Sequence, residues 1–390
     1  MAPAGQMASG PQVPQAGRMG PNMQAAPPGQ MDLDPAQMLP DEDEDNPVMD
    51  EPEWEPEYWP TMGWETRTPE ELDYDSALLE EAVAFATATS TTQALLVIQD
   101  GYIISEGYFA GFGMDERHES FSMAKSFTSG LVGIAIGEGL IADGVGSRIC
   151  EYYEEWNCDD ANDARSRITL EHLLTLTSGL EWTEDWSSAA NIISNEAARL
   201  GNNPTPYVLG KPSEHEPGTS FQYSTGDPAL ITGVLQTATG KTALAYAEEK
   251  VLDPIGITTL TWNSDRDGRT TTFAGIQATA RDYARYGFLF LNRGRWDGQE
   301  LVPPDWVDVS TQPGKSLQPW YGYLWHVDLA VKFEDSELPS DGYTAMGIQG
   351  QLITVIPSER LVVVRLARDA IGTDAFDEAG LYTRILAAKQ

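Results

Sequence analysis

The chain has 390 residues, of which 41% are apolar, so it is long enough and apolar enough to bury a sizeable core. Its net charge of −36 excludes nucleic acid and anionic membranes as favoured partners, because like charges repel. The acidic excess is interpreted as a solvated surface, with attraction of cationic substrates as the alternative. The four histidines and two cysteines show no zinc-binding spacing, and the sequence predicts no metal and no cofactor.

Residues 1–60 form a distinct N-terminal segment. They are rich in Pro, Gly, Met and Gln and contain 12 acidic residues and one basic residue. Such a composition buries too little apolar surface to offset its ordering entropy, so the sequence predicts a disordered acidic tail followed by a folded domain at 61–390. No signal peptide is recognisable, and no run of about 18 apolar residues predicts a transmembrane segment.

The two cysteines, Cys150 and Cys158, allow two interpretations. A disulfide between them would close a small loop and indicate an oxidising compartment, whereas two free thiols are ordinary in a cytosolic protein. We expect a periplasmic or secreted protein whose export signal has been removed, with a cytoplasmic location as the alternative.

The first predicted elements after the tail are a helix at 77–90 and a β-hairpin. Two β-rich runs flank Asp100-Gly101, which is the strongest short hairpin signal. A nearly apolar helix follows from 122 to about 141; its several glycines are expected only where the helix is buried against a close neighbour. Residues 150–310 then show mainly helical patterns joined by polar loops.

The C-terminal part contains two predicted strands, GQLITVIP and LVVVRLAR, joined by a turn at 357–360, and a closing helix at 375–388. Strands at both ends of the domain predict one antiparallel sheet flanked by helices, in the mixed α/β (α+β) class. The sheet lobe would comprise residues 75–125 and 320–390, and an inserted, mainly helical lobe residues 126–319. A cleft between the lobes is the expected substrate site.

Ser122 and Lys125 are the leading catalytic candidates. Ser122 stands where the apolar helix begins, and a spacing of three places both side chains on one helical face. A serine hydroxyl becomes a good nucleophile when a neighbouring base takes its proton, and a neutral lysine can be that base. Alone the pattern is weak, because the same residues could cap a helix.

Two further segments strengthen the catalytic interpretation. Tyr223 lies on a loop that enters the next helix, and a phenol beside a lysine can share its proton; the alternative is a half-buried loop aromatic. Gly347 and Gly350 bracket the start of a strand, where a backbone N–H paired with that of Ser122 would form an oxyanion hole. The alternative there is a glycine-rich bulge.

With these motifs in this order, the chain resembles the serine β-lactamase-like and penicillin-binding-type hydrolases that share the class C β-lactamase fold. It is most similar to the branch of 6-aminohexanoate-dimer hydrolase and related esterases. The phrases LLTLTSGL, HEPGTSFQYS and ARDYARYGFLFLNRGRWDG support the resemblance, which covers about residues 75–390.

The resemblance implies a role for each motif. Ser122 would be acylated, Lys125 and Tyr223 would transfer protons, and the backbone N–H groups of Ser122 and Ile348 would bind the oxyanion. Two departures from the family pattern are present, since Thr225 replaces the asparagine of Tyr-x-Asn and no Lys-Thr-Gly precedes the strand. The second removes a cation that grips the carboxylate of penicillins or peptide termini, so amide or ester cleavage is favoured over β-lactam cleavage.

Some remaining residues are candidates for substrate contact: Thr225, Trp182, Trp186, Gly347, Gln349 and Gln277. For the tryptophans, packing in the core is the competing interpretation. Glu181, Glu184 and Asp185 share the loop of the first two tryptophans and would favour an amine-bearing acyl group if they faced the pocket. His118 is interpreted as a loop residue rather than as the base for Ser122.

The sequence therefore predicts a serine hydrolase that cleaves an amide or ester bond of a small or oligomeric molecule through an acyl-enzyme on Ser122. The alternatives are a β-lactamase or D-alanyl-D-alanine carboxypeptidase, and a non-catalytic binding or sensor protein with the same fold.

Overall fold

The computed structural model describes residues 54–88, 91–185, 195–371 and 376–390. The predicted tail lies outside these ranges up to residue 53. Residues 54–60, which the sequence analysis assigns to the tail, belong to the folded unit. Tyr58 donates a hydrogen bond to the carbonyl of Gly101 at 2.8 Å, and Trp59 packs against Trp296 with ring centroids 5.2 Å apart. The folded unit therefore begins before residue 60, because the half-buried aromatic side chains of this segment pack against the core.

The central element is a six-stranded antiparallel sheet in the order β2-β1-β11-β10-β9-β8. Its strands are β1 Thr92–Gln99, β2 Tyr102–Tyr108, β8 His326–Val327, β9 Tyr343–Gly347, β10 Gln351–Ile356 and β11 Leu361–Ala367. β1 pairs directly with β11, for example Leu96 with Val364. The prediction that both ends of the domain share one antiparallel sheet is confirmed.

Both faces of this sheet are buried, so its inner strands are continuous apolar runs rather than alternating ones. Leu95 and Val97 of β1 pack in one apolar cluster, whereas Leu96 and Ile98 pack in the other. The first cluster contains the terminal helices α1 (Ser76–Thr87) and α10 (Glu378–Ala387).

The second face is covered by α7 (Ala280–Leu291), which the sequence analysis places in the helical lobe. At Gly287 an added Cβ would lie 2.7 Å from Ile353 and 2.8 Å from Val362, so the helix backbone lies directly on β10 and β11. The predicted limits of the two lobes are therefore wrong here: a strongly amphipathic helix reveals that it has an apolar face, but not which element that face meets.

The remaining helices include α2, which is buried along almost its whole length. They are α2 Ala124–Gly137, α3 Leu170–Leu174, α4 Pro204–Leu209, α5 Gly226–Thr239, α6 Ala243–Ala247, α8 Pro304–Thr311 and α9 Leu329–Lys332. The glycines of α2 lie at close contacts, as predicted. A Cβ on Gly133 would lie 2.2 Å from Trp306 of α8, and one on Gly130 would lie 2.6 Å from the hydroxyl of Tyr286.

Short strands also occur in the part predicted to be mainly helical. β3 (His118–Glu119), β5 (Ile276–Ala278) and β4 (Thr261–Trp262) form a small sheet, and β6 (Arg295–Trp296) and β7 (Gln299–Glu300) form a hairpin. β3 pairs with β5 immediately before Ser122, and this pairing anchors the segment that leads into α2.

The structure pairs Cys150 with Cys158 in a disulfide, with Cα atoms 5.4 Å apart. The spacing left a disulfide and two free thiols open, and the structure contains the disulfide. None of the helices in the described ranges combines the length and apolarity needed to cross a bilayer.

Candidate active site

Ser122 lies in a single 3₁₀ turn, Phe121–Met123, that leads directly into α2. Phe121 has φ of +45°, a left-handed conformation that costs free energy in a residue with a side chain and is often found beside functional groups. Its N–H donates to Glu119 Oε1 at 3.2 Å, which holds the turn in place. Ser122 lines a cavity of about 400 Å³.

Lys125 extends from the first turn of α2 towards this serine. Its Nζ lies 2.7 Å from Ser122 Oγ, within hydrogen-bonding distance, and the residue is only 2% exposed. Because residues three apart share a helical face, the local sequence alone produces this contact. The pair has the geometry required for proton transfer between a nucleophile and its base.

Tyr223 reaches the same place from the loop before α5. The centre of its ring lies 5.1 Å from Lys125 Nζ, and the residue lines the same cavity as Ser122. The structure thus brings together the three predicted catalytic residues, although Tyr223 lies 101 positions after Ser122 in the sequence.

Thr225 connects Lys125 to a buried carboxylate. Its hydroxyl donates to Glu184 Oε1 at 2.7 Å, so the lone pairs of Oγ1 are available to Lys125 Nζ at 3.4 Å. Glu184 is 8% exposed and its Oε2 also accepts from the N–H of Thr225 at 2.7 Å and from Trp182 Nε1 at 2.8 Å. Glu184 therefore fixes the orientation of the threonine hydroxyl, and through it that of the lysine.

Asp227, in the first turn of α5, is a second buried acid near this network. It accepts from the hydroxyl of Ser178 at 2.7 Å and of Ser224 at 3.3 Å. Burial raises the pKa of Asp227 to about 7, an effect that these hydrogen bonds oppose and the charge of Glu184 reinforces. The loop that carries Tyr223 is thus anchored by a carboxyl group that titrates near neutral pH.

The segment between β9 and β10 lies against the turn that carries Ser122. A Cβ on Gly347 would lie 2.1 Å from the carbonyl oxygen of Ser120, so only glycine allows the strand end to approach the nucleophile turn this closely. Gly347, Ile348, Gln349 and Gly350 all line the cavity with Ser122. Gln349 and Gly350 have φ of +67° and +82°, which bends the chain back into β10.

A group of residues that we term the charged wall completes the cavity; it comprises Trp320, His326, Lys332 and Glu378. Lys332 Nζ lies 4.3 Å from the centre of the Trp320 ring, and burial lowers the pKa of the lysine. Burial, with smaller contributions from the charges of Lys332 and Lys125, lowers the pKa of His326 well below its usual range. Burial raises the pKa of Glu378 to about 7, and the Lys332 charge opposes this.

His326, Lys332 and Glu378 were not among the site residues predicted from the sequence. Lys332 lies in α9, a four-residue helix, and Glu378 lies at the start of the last helix, where acidic residues are common. Only His326 had a detectable signal, because it follows an aromatic cluster, YGYLW, typical of a cleft wall.

Several predicted substrate contacts lie elsewhere. Trp182 is buried against Gly226, where a Cβ would lie 2.6 Å from the ring, and it does not line the cavity that contains Ser122. This prediction is wrong because the ring is needed for packing. Thr225 contacts Lys125 rather than open space, and Trp186 lies outside the described residues.

Gln277 and His118 lie behind the serine turn, in a second cavity described below. Gln277 donates to Glu119 Oε2. His118 is buried in β3 rather than in a loop, with Nδ1 3.1 Å from Gln93 Oε1. Burial, and to a lesser degree the charge of Arg368, lowers the pKa of His118 to about 4. The expectation that His118 is a loop residue is therefore wrong.

With the fold and the serine–lysine pair established, comparison with known proteins identifies the class. The Beta-lactamase family model matches residues 84–388, and the chain belongs to this family. It is a hydrolase with the β-lactamase-type fold, as its motifs predict.

Among curated proteins, the chain is similar to the 6-aminohexanoate-dimer hydrolase of Paenarthrobacter ureafaciens, with 26% identity over 309 residues covering 71% of this chain and 72% of that protein. Among solved structures, it is similar to EstCE1, a hydrolase with promiscuous acyltransferase activity, with a TM-score of 0.64, 15% identity and coverage of 80% and 98%. A penicillin-binding protein homologue from Caulobacter crescentus gives a TM-score of 0.62 and 16% identity, with coverage of 80% and 95%. At these identities the two structures support the fold alone.

Proposed function

We propose that the protein hydrolyses an amide or ester bond of a small or oligomeric molecule through an acyl-enzyme on Ser122. The observation that carries the proposal is the 2.7 Å separation of Lys125 Nζ and Ser122 Oγ in the wall of an open cavity. A structural helix cap would not require a lysine buried beside the serine, because burying an ammonium costs free energy.

In the proposed acylation step, Ser122 Oγ attacks the carbonyl carbon while Lys125 accepts the hydroxyl proton. The oxyanion is held by the backbone N–H groups of Ser122 and Ile348. Collapse of the tetrahedral intermediate breaks the C–N or C–O bond, and the proton passes from Lys125, or through Tyr223, to the departing amine or alcohol. The proton lost by the serine therefore leaves with the departing amine or alcohol.

Deacylation reverses the roles. Water attacks the ester carbonyl of the acyl-enzyme and gives one proton to the Lys125–Tyr223 pair, which returns it to Ser122 Oγ as the acid departs. Thr225 and Glu184 contribute by holding Lys125 in one orientation throughout. The proposal is supported by the hydrogen-bonding distance between Ser122 and Lys125 in the free protein.

A linear amide of the aminohexanoate type is the substrate class that we favour. The relative from Paenarthrobacter ureafaciens is named as a 6-aminohexanoate-dimer hydrolase. The cavity combines apolar residues, such as Met346, Ile348 and Phe376, with the ionisable groups of the charged wall, which suits an alkyl chain with a charged end.

The proposal is tested by labelling with a fluorophosphonate and by assays on p-nitrophenyl butyrate, nitrocefin and a linear aminohexanoate dimer. We expect labelling of the wild type and none of Ser122→Ala, together with turnover of the ester or the amide. Faster cleavage of nitrocefin than of the other two would favour a β-lactamase, and absence of both labelling and turnover would favour a non-catalytic binding protein.

We also propose an exported location. The disulfide between Cys150 and Cys158 supports an oxidising compartment. Trapping of thiols in intact cells with maleimide, before and after reduction, tests this directly. Reaction of both cysteines without prior reduction would contradict it.

A further inference from the structure

A second cavity, of about 300 Å³, adjoins the one that contains Ser122. Gln349 lines both cavities, and Phe121, the residue before the nucleophile, lines the second. Most of its lining is polar, and it includes the amide side chains of Gln93, Gln277, Gln349 and Gln351. A molecule held at Ser122 therefore needs to extend only past Gln349 to enter it.

Two arginines from different elements line this second cavity. Arg117 precedes β3, and Arg368 follows β11. Most arginines in the described ranges pair with a carboxylate within 4.0 Å, for example Arg281 with Glu106 and Arg365 with Asp369. Within the same ranges, Arg117 donates only to the carbonyl of Thr259 at 3.0 Å, and Arg368 lies 5.8 Å from the ring centre of Phe112.

The one carboxylate in the lining, that of Glu119, forms no ion pair with these arginines. Glu119 Oε1 accepts from the N–H groups of Phe121 and Gly275 at 3.2 and 3.0 Å, and Oε2 accepts from Gln277. Its acceptor sites are thus directed at the protein, whereas most N–H donors of the two guanidinium groups have no partner in the described structure.

Arg117 and Arg368 are both exposed to solvent, yet neither forms an ion pair with a described residue, which is unexpected in a chain with a net charge of −36. Guanidinium groups bind carboxylates with paired, charge-assisted hydrogen bonds, and amide side chains add neutral donors. A small carboxylate therefore fits this cavity in size, and it supplies the negative charge and the acceptor atoms that the two guanidinium groups require.

We propose that Arg117 and Arg368 bind a carboxylate of the substrate whose carbonyl is attacked by Ser122, with Gln349 between the two sites. The inference rests on the proposed function, since it names the part of the substrate that lies outside the serine cavity. The same chemistry would bind a free carboxylate, and the experiment below distinguishes the two.

The test uses two matched pairs of esters: mono-4-nitrophenyl adipate against its methyl ester, and 4-carboxyphenyl hexanoate against its methyl ester. These place the carboxylate on the acyl side and on the leaving-group side. We expect the wild type to favour the carboxylate member of one pair in kcat/KM. In the double variant Arg117→Gln/Arg368→Gln this preference should fall about tenfold. In Arg368→Lys with Arg117 retained, the preference should fall less, because the lysine keeps a point charge.

Arg295→Gln is the matched control, because Arg295 also forms no ion pair with a described residue but lines neither cavity; its preference should equal that of the wild type. A double variant that keeps the full preference, or a wild type with no preference in either pair, overturns the proposal. Thermal stabilisation by adipate that depends on the arginines, without a kinetic preference, also overturns it in favour of a free-anion site. If the wild type turns over no ester and resists fluorophosphonate, the proposed function itself fails; adipate stabilisation lost in the double variant would then leave the anion site standing alone.

Discussion

The surroundings of Lys125 lie beside the cavity that the charged wall lines, and the two regions satisfy their ionisable groups differently. Lys125 contacts Ser122 and Thr225, and Thr225 in turn contacts the carboxylate of Glu184, so each group has a defined partner. In the charged wall, Lys332 lies on an aromatic ring and forms no ion pair with a described residue.

The difference separates chemistry from recognition. A reacting group gains from being held in one orientation before substrate arrives, because no reorganisation is then needed in the transition state. A binding group gains from having free capacity, because its hydrogen bonds and charge are then available to the ligand. The comparison predicts that variants near Lys125 change kcat, whereas variants of the charged wall change selectivity.

The largest expected effect is that of Lys125→Ala. Removing the proton acceptor should lower kcat about 10³-fold, since general-base catalysis contributes roughly 10² to 10⁴. The turnover number and the rate of fluorophosphonate labelling should fall together, with unchanged circular dichroism. Activity comparable to that of the wild type would show that another group takes the serine proton.

The second prediction concerns the stability near the nucleophile. The folded pKa of Asp227 is about 7 and lies above its unfolded value of 3.8, so the native state binds the proton more tightly and loses stability as pH rises. Between pH 5 and pH 8 this loss is about 2–3 kcal/mol. Urea unfolding at both pH values should show the loss in the wild type, and Asp227→Asn should remove it.

Asp143→Asn is the control for this measurement, because Asp143 is exposed and should leave the pH dependence of stability unchanged. If Asp227→Asn keeps the same pH dependence as the wild type, the buried carboxyl group does not titrate in this range.

The third prediction tests the link from Glu184 to Lys125. In Glu184→Gln one acceptor oxygen becomes an NH₂ donor, so either the hydroxyl or the N–H of Thr225 loses its acceptor. We expect kcat to fall about tenfold with little change in KM, and the pH profile of kcat to shift, since the lysine loses its fixed neighbour.

Glu196→Gln provides the comparison, because Glu196 is equally buried but pairs with Lys211 instead. A loss of melting temperature in both variants with unchanged kcat in Glu184→Gln would reduce Glu184 to a structural residue. An unshifted pH profile at lower kcat would argue against action through Lys125.

The sequence was sufficient to predict the contacts that are local in the chain. Ser122 lies in the turn that leads into α2 and Lys125 lies three residues later in that helix, so their contact is local and the sequence is sufficient to predict it. Four strands of the sheet, β1, β2, β10 and β11, were predictable because they are β-rich runs with clear turn signals, whereas the short strand β8 and the strand β9 were not predicted. Tyr223 lies far away in the sequence, and its place at the site was expected mainly from the resemblance to known hydrolases.

The rest depends on tertiary contacts that no local pattern encodes. Glu184 was considered as a substrate contact, but the fold turns its carboxylate towards Thr225. Lys332 and Glu378 come from two short stretches that meet only when α9 and α10 pack beside the sheet. The spacing of Cys150 and Cys158 allowed a disulfide or free thiols, because sequence separation does not fix the distance between side chains.

The smallest expected effect is that of Lys332→Met, which tests the recognition half of the comparison. Methionine keeps the length of the side chain against Trp320 but removes the charge. For mono-4-nitrophenyl adipate relative to the 4-nitrophenyl ester of 6-aminohexanoate, the ratio of kcat/KM should fall about fivefold, since the cavity loses a cation while Glu378 remains. Lys315→Met, on an exposed segment outside the cavity, should leave this ratio unchanged. An unchanged ratio in Lys332→Met would mean that the lysine packs against Trp320 without meeting substrate, and that selectivity arises elsewhere in the cavity.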